Sequence, residues 1–86
     1  MKHRVTRRFW DAYDALPIEV RRLADENHAL LEADARHPGL QLKKVGRFWS
    51  VRIGLHYRAL AVEAEGDLVW FWIGHHADYD RLIAGR

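Results

Sequence analysis

Cysteine is absent from this chain of 86 residues, and proline occurs only twice. Without cysteine there can be no disulfide framework, no zinc ribbon and no thiol nucleophile. The chain also has no apolar run approaching the roughly 18 residues that a membrane-spanning helix needs. Its basic first residues are not followed by the apolar stretch of a secretory signal. Because 49% of the residues are hydrophobic, we expect one folded cytoplasmic domain over residues 1–86, with no membrane partner.

Acidic residues are missing from the middle of the chain. Residues 36–58 contain no aspartate or glutamate and hold six cationic side chains, Arg36, Lys43, Lys44, Arg47, Arg52 and Arg58. The preceding segment, residues 9–35, has seven acidic residues against two arginines. A positive stretch of this length favours a polyanion or an acidic protein as partner. The alternative is a set of solvated charges along the edges of strands.

The first half of the sequence has the period of helices. Apolar residues recur every three or four positions, which predicts one helix from Arg7 to about Ala15, capped by Thr6, and a second from Pro17 to about Asp34. The Leu16-Pro17 pair separates them, because a residue before proline avoids helical angles. A His-Pro-Gly sequence at residues 37–39 ends the second helix.

The second half reads as strands separated by turns. We predict strands over residues 40–45, 48–53, 56–64 and 68–74, joined closely enough to form an antiparallel meander. The fold class is therefore α+β, with an N-terminal helical hairpin packed on one face of a four-stranded antiparallel sheet. A short final turn or helix is expected near residues 79–83, capped by Asp78 or Asp80. Strict alternation would put Trp70 and Trp72 on one face and leave a large apolar face for a partner.

Several short motifs in this order resemble the RelE/ParE toxin superfamily of bacterial type II toxin–antitoxin modules, with the RelE-like branch favoured. The resemblance covers nearly the whole chain, although the family's opening strand is short or missing here. It rests on the following segments: residues 9–17 (FWDAYDALP), 42–45 (LKKV), 49–54 (WSVRIG), 56–60 (HYRAL) and 72–76 (WIGHH), followed by Tyr79.

This resemblance implies an mRNA endoribonuclease that acts in the ribosome, needs no metal ion or other cofactor, and is neutralised by an acidic or amphipathic antitoxin. In the RNA-cleaving branch a 2′-hydroxyl attacks the adjacent phosphate, which requires nearby cations, a base and an acid. By position, Arg58 matches the family's phosphate-binding arginine. The implied catalytic set is Arg58, His75, His76 and Tyr79, and the implied RNA-binding set is Lys43, Lys44, Arg47 and Arg52.

Other interpretations of the same residues stay open at this point. The fold is shared by ParE-type inhibitors of DNA gyrase, which do no chemistry, and a non-toxic orphan binding module is a third possibility. Asp78 and Asp80 would repel RNA unless they point away or pair with Arg81. Tyr79 could pack against the second helix, and Arg52 and Arg58 could pair with acids of the helices. A metal site built from His75, His76, Asp78 and Asp80 fits no standard ligand spacing.

Overall fold

The structure, a computed structural model, describes residues 2–84. In chain order its helices and strands are β1 (His3–Val5), α1 (Arg7–Asp14), α2 (Ile18–Ala33), a 3-10 turn (Pro38–Leu40), β2 (Lys43–Val45), β3 (Phe48–Ile53), β4 (Tyr57–Ala64), β5 (Asp67–His75) and α3 (His76–Ala84).

The two N-terminal helices form the predicted hairpin. The Thr6 hydroxyl accepts a hydrogen bond from the Phe9 amide at 3.1 Å, so the predicted cap of α1 is confirmed. Pro17 precedes the first residue of α2, and Asp34 ends that helix in an extended conformation. The Tyr13 hydroxyl donates to Asp25 at 2.8 Å and links the two helices. None of the helices within residues 2–84 is both long and apolar enough to cross a bilayer.

The helices pack on a sheet of five strands in the order β1-β5-β4-β3-β2. The α+β class and the antiparallel pairing of β2 to β5 are confirmed. Strand β1, which pairs with β5 in parallel, is not predicted from the sequence. This strand has only three residues, too few to show a period of two. Backbone hydrogen bonds hold it at both ends, from the Leu68 amide to the Lys2 carbonyl and from the Thr6 amide to the Trp70 carbonyl.

One strand starts later than predicted. The expected strand over residues 40–45 begins only at Lys43, because Pro38–Leu40 forms a 3-10 turn and Gln41 takes a left-handed conformation with φ of 47°. Leu40 is fully buried in the core instead of extending the strand. The other strand bounds differ from the prediction by one residue at most.

A β-bulge in β5 corrects the prediction that Trp70 and Trp72 share a face. Trp70 lies opposite Ala61 and Trp72 opposite Leu60, so Phe71 between them is an extra residue. An extra residue reverses the alternation of side chains beyond it. Trp70 and Ile73 consequently both belong to the core beneath the helices, and Trp72 is half-buried outside that core. The helix-side face of the sheet is this core, and the other face is called the open face below.

The C-terminal helix α3 partly covers the open face. The Tyr79 side chain is buried there and its hydroxyl donates to Ser50 Oγ at 3.4 Å, so it packs on the sheet and not against α2. Leu60 is fully buried on this face as well. At the start of α3, the His75 Nδ1 atom accepts from the Ala77 amide at 3.2 Å, so a histidine has the capping role predicted for Asp78 or Asp80.

The expected large exposed apolar face on the sheet is not found among residues 2–84. The exposed large hydrophobic side chains belong to helices and to the turn after β3, namely Trp10, Ile18, Leu23, Leu55 and Leu82.

Candidate functional site

Two arginines stand directly opposite each other on the open face. Arg52 of β3 pairs with Arg58 of β4, and their neighbours along each strand point into the core. Neither guanidinium has a carboxylate partner within residues 2–84. Like charges at directly opposed positions of a sheet are destabilising. The pair is therefore a cost to the fold, and an anion placed between the two guanidiniums would remove that cost.

Both guanidiniums are held by carbonyl groups of the turn that joins β3 to β4 and of the first residue of β4. The Arg52 Nε atom donates to the Gly54 carbonyl at 3.1 Å. The Arg58 Nη1 atom donates to the Tyr57 carbonyl at 2.7 Å and to the Leu55 carbonyl at 3.5 Å. These hydrogen bonds leave most of the guanidinium donors available and fix the cations at one end of the sheet.

Three imidazoles gather at the same end of the sheet. The ring centroids of His75 and His76 are 4.4 Å apart, and that of His56 lies 6.2 Å and 6.1 Å from them. The His76 amide donates to the His56 carbonyl at 2.8 Å, which ties the turn after β3 to the start of α3. We call His56, His75 and His76 the imidazole cluster. Neutral and protonated imidazoles are the usual proton-transfer groups near neutral pH.

His75 and His76 are predicted from the sequence as site residues, but His56 is not. The available signal was pairing: His56 directly precedes Tyr57, which lies opposite His75 in the register of β4 and β5. A histidine in the turn before β4 must then lie near histidines at the end of β5. That register depends on the bulge at Phe71, which a strict period of two does not reveal.

The arginine pair and His75 leave the sheet on different sides. Arg58 lies opposite Gly74 on the open face, whereas His75 lies opposite Tyr57, whose ring it meets edge-on at 5.4 Å. The turn after β3 connects the two groups, since it supplies carbonyls that hold the arginines and also the His56 side chain. The structure thus assembles one cationic pair and one imidazole cluster at a common end of the sheet.

The two acidic residues near this site, Asp78 and Asp80, each lie beside a basic side chain. Asp78 accepts a hydrogen bond from Arg81, which is the pairing considered in the sequence. Asp80 lies 3.9 Å from the His76 Nδ1 atom. Within residues 2–84, no three imidazole or carboxylate side chains are grouped in a way that suits a metal ion.

The remaining predicted site residues are spread over the sheet. Lys43 lies opposite Ser50 and so shares the open face, whereas Lys44 lies opposite Trp49 on the helix side. Arg47 lies in the turn between β2 and β3, with its guanidinium 5.1 Å from the centre of the Phe48 ring. The Tyr79 hydroxyl is buried against Ser50. Of these residues, Lys43 and Arg47 are the ones that add positive charge to the open face.

On the helix side, an apolar cleft of about 200 Å³ lies between the two helices and the sheet. Its walls include Phe9, Trp10, Tyr13, Leu31, Ile53 and Trp70. This cleft is separate from the arginine pair and the imidazole cluster. It lacks the cations that an anionic ligand would need.

Comparisons with known proteins identify the fold and the family. A family model for the ParE-like toxin domain matches residues 18–81. No curated protein matches the sequence significantly. Among solved structures, the chain is similar to the toxin fold found in a RelB–RelE antitoxin–toxin complex from Methanococcus jannaschii, with a TM-score of 0.69 and 14% identity over 91% of this chain and 96% of that one.

Two further solved structures show the same fold. The isolated RelE toxin of E. coli gives a TM-score of 0.61 at 11% identity, covering 95% of this chain and 97% of that chain. A copper-bound mutant toxin from Helicobacter pylori gives 0.58 at 17% identity, covering 91% and 97%. The family model covers most of the chain, and the solved structures agree with its architecture. The chain therefore belongs to the ParE-like toxin domain family, within the RelE/ParE toxin superfamily.

Proposed function

We propose that this protein is the toxin of a type II toxin–antitoxin module and that it cleaves mRNA in the ribosome. The observation that supports this proposal is that the Arg52–Arg58 pair and the imidazole cluster lie at the same end of the sheet, beside one turn. Guanidiniums suit phosphate, and imidazoles supply a base and an acid near neutral pH. A toxin of this kind would be held inactive by an antitoxin, as the RelB–RelE complex from Methanococcus jannaschii illustrates for that protein.

The proposed reaction is a transfer within the RNA backbone. The 2′-oxygen of one nucleotide attacks the adjacent phosphorus, the bond to the 5′-oxygen of the next nucleotide breaks, and a cyclic phosphate and a 5′-hydroxyl result. A neutral imidazole takes the proton of the 2′-hydroxyl, and a protonated imidazole gives one to the departing oxygen. Arg58, with Arg52 opposite it, stabilises the charge that builds up on the phosphate oxygens.

We assign the proton transfers to the imidazole cluster rather than to Tyr79. The Tyr79 hydroxyl is buried and bonded to Ser50, where it holds α3 on the sheet. His75 accepts the Ala77 amide through Nδ1, so its neutral ring carries its hydrogen on Nε2, which can donate a proton but cannot take one. Tyr79 then acts as a positioning residue, because α3 carries His76.

A ParE-type inhibitor of DNA gyrase is the second candidate function. The observation that favours it is the family model, which is that of the ParE-like toxin domain. An inhibitor of this type needs a binding surface but no acid or base. The two functions therefore differ in what the imidazole cluster contributes.

Arg58→Ala is the variant that tests the cleavage proposal most directly. Loss of one preorganised charge donor should lower ribosome-dependent cleavage about 100- to 1000-fold. Loss of a proton-transfer group through His56→Ala, His75→Ala or His76→Ala should lower it about 100- to 10,000-fold for whichever side chains act. The measurement is primer extension on ribosome-bound mRNA, with folding checked by circular dichroism. Arg22→Ala on the exposed side of α2 is the matched control and should cleave like wild type.

The outcomes separate the two candidates. If all the folded imidazole variants and Arg58→Ala cleave like wild type, the site is wrongly assigned. If wild type cleaves nothing but blocks DNA supercoiling by gyrase, and the imidazole variants block it equally well, the gyrase inhibitor is the correct function.

A further inference from the structure

A stack of cations and aromatic rings occupies the opposite end of the open face. The Arg8 guanidinium lies 5.6 Å from the centre of the Phe71 ring, and the Phe71 and Phe48 rings are 5.7 Å apart at an angle of 48°. Arg47 lies over Phe48 at 5.1 Å. We call these four residues the arginine–phenylalanine ladder. It brings together three separate parts of the chain: the start of α1, the turn between β2 and β3, and β5.

The bulge in β5 lies within this ladder. Phe71 is the extra residue of the bulge, and its ring meets that of Phe48, which shares the open face with Ser50 and Arg52. Bulges are common where a side chain must be re-aimed near a functional site. Without the extra residue, Phe71 would still lie on the face opposite Trp70, but Trp72 would turn to the helix side, so the bulge places two consecutive aromatic residues, Phe71 and Trp72, on the open face. The sheet departs from regular pairing at the residue that the ladder uses.

The ladder carries positive charge that the fold does not neutralise. Arg8 and Arg47 are exposed, and neither has a carboxylate partner among the ion pairs of residues 2–84. By contrast, the neighbouring Arg4 and Arg7 pair with Asp67 and Asp11. Exposed guanidiniums layered on half-buried aromatic rings form a surface on which a flat, electron-rich group can stack.

From this chemistry we infer that the arginine–phenylalanine ladder binds unpaired bases of single-stranded RNA. Bases stack on aromatic side chains and on guanidinium planes, and arginines also attract the phosphates beside them. The inference rests on the proposed function, and it adds a base-binding subsite beyond the phosphate site at Arg52 and Arg58. An acidic peptide would satisfy the charges but would leave the paired rings without a role.

The register of the strands supplies a path between the two ends. Phe48 and Arg52 lie on one face of β3, four residues and so about 13 Å apart. Lys43 lies opposite Ser50, midway between them, on the edge strand β2. A short RNA strand running along β2 and β3 would meet Arg47, Lys43 and Arg52 in turn. This path follows the edge of the sheet beside Ser50, where α3 contacts it through Tyr79.

The test measures binding of an RNA that cannot be cleaved. The probe is a fluorescent 2′-O-methyl RNA of about ten nucleotides, compared with the same strand lacking its central bases and with its duplex. Wild type should bind the intact single strand about 5- to 150-fold more tightly than the abasic strand, the range expected for stacking of a base on an aromatic ring. Phe48→Leu and Phe71→Leu keep an apolar side chain and should lose most of that preference. Trp10→Leu, an exposed aromatic residue on α1, is the control and should keep it.

Different results would overturn the inference in different ways. If wild type binds the abasic strand as tightly as the intact one, or if both phenylalanine variants keep the full preference, the ladder does not bind bases. If poly-glutamate displaces the fluorescent RNA as effectively as unlabelled RNA does, the surface binds an acidic protein partner instead. Either result leaves the cleavage proposal intact, provided that cleavage still depends on Arg58. Absence of binding to every RNA at low salt, together with absence of cleavage, would remove both proposals.

Discussion

The two faces of the sheet are built for different purposes. On the helix side, buried side chains from β3, β4 and β5 pack beneath α1 and α2, and the polar groups there have partners, such as the Trp70 indole and His3. On the open face, Arg52 and Arg58 lie opposite each other, and neither forms an ion pair with a carboxylate of residues 2–84. The two ladder arginines, Arg8 and Arg47, also lack a carboxylate partner within those residues. The packing on the helix side stabilises the fold, whereas the opposed arginines of the open face destabilise it. The open face is therefore the candidate for the functional surface.

Strand β5 contributes one tryptophan to each face, which gives the strongest test of this difference. Trp70→Ala should reduce the free energy of unfolding by about 3–5 kcal/mol, because it empties a buried site in the core. Trp72→Ala removes a half-buried ring and should cost roughly 1–2 kcal/mol. Urea denaturation followed by circular dichroism measures both.

Equal losses in the two tryptophan variants would show that the open face contributes to the core as much as the helix side does. A larger loss for Trp72→Ala would reverse the assignment of the faces. Binding of RNA offers an independent readout, because Trp72 shares the face of Arg58 and Trp70 does not.

Gly74 lies at a crowded place on the open face, beneath the Trp72 ring. A Cβ atom built on Gly74 would lie 2.5 Å from a ring carbon of Trp72, so the ring would have to move. Gly74→Ala should therefore destabilise the protein by about 1–3 kcal/mol, the usual cost of overpacking. In a Trp72→Ala background the same substitution should cost much less, since the ring it collides with is gone. Thermal or urea unfolding of wild type, the two single variants and the double variant measures both costs. An equal loss of unfolding free energy in both backgrounds would contradict the explanation.

Much of this fold is visible in the sequence because it depends on local signals. Thr6 and the Leu16-Pro17 pair predict the helical hairpin, and alternation of side chains predicts β3 and β4. Strand β1 escapes prediction because three residues carry no period, and its place is set by hydrogen bonds to β5, more than 60 residues away along the chain.

The candidate site is only partly visible in the sequence for a related reason. Arg52 and Arg58 follow from the family motifs and from the acid-free segment. The place of His56 beside His75 depends on the extra residue at Phe71, which changes both the register of β5 and the face of Trp72. The arginine–phenylalanine ladder joins Arg8, Phe48 and Phe71, which are far apart along the chain. No local pattern distinguishes a bulged strand from a regular one here, since residues 68–73 are all apolar.

The smallest expected effect is a pH dependence on the helix side of the sheet, where β1 meets β5. The Trp70 indole donates to the His3 Nδ1 atom at 3.1 Å, and the His3 ring stacks on Trp70. Burial lowers the pKa of His3 below its ordinary value of 6.5, although the nearby Glu32 and Asp67 oppose the shift. The unfolded chain then binds more protons than the folded one as pH falls past 6.5. His3 thus leaves stability unaffected above that pH and reduces it between 6.5 and its lowered pKa, below which the loss levels off.

His3→Gln keeps an acceptor for the indole but has no proton to gain. Its unfolding free energy, measured from about pH 7 to about pH 5, should fall less steeply than that of wild type. Parallel curves for the two proteins would show that His3 does not couple protonation to folding, and the anchoring of β1 would then rest on its backbone hydrogen bonds and on packing alone.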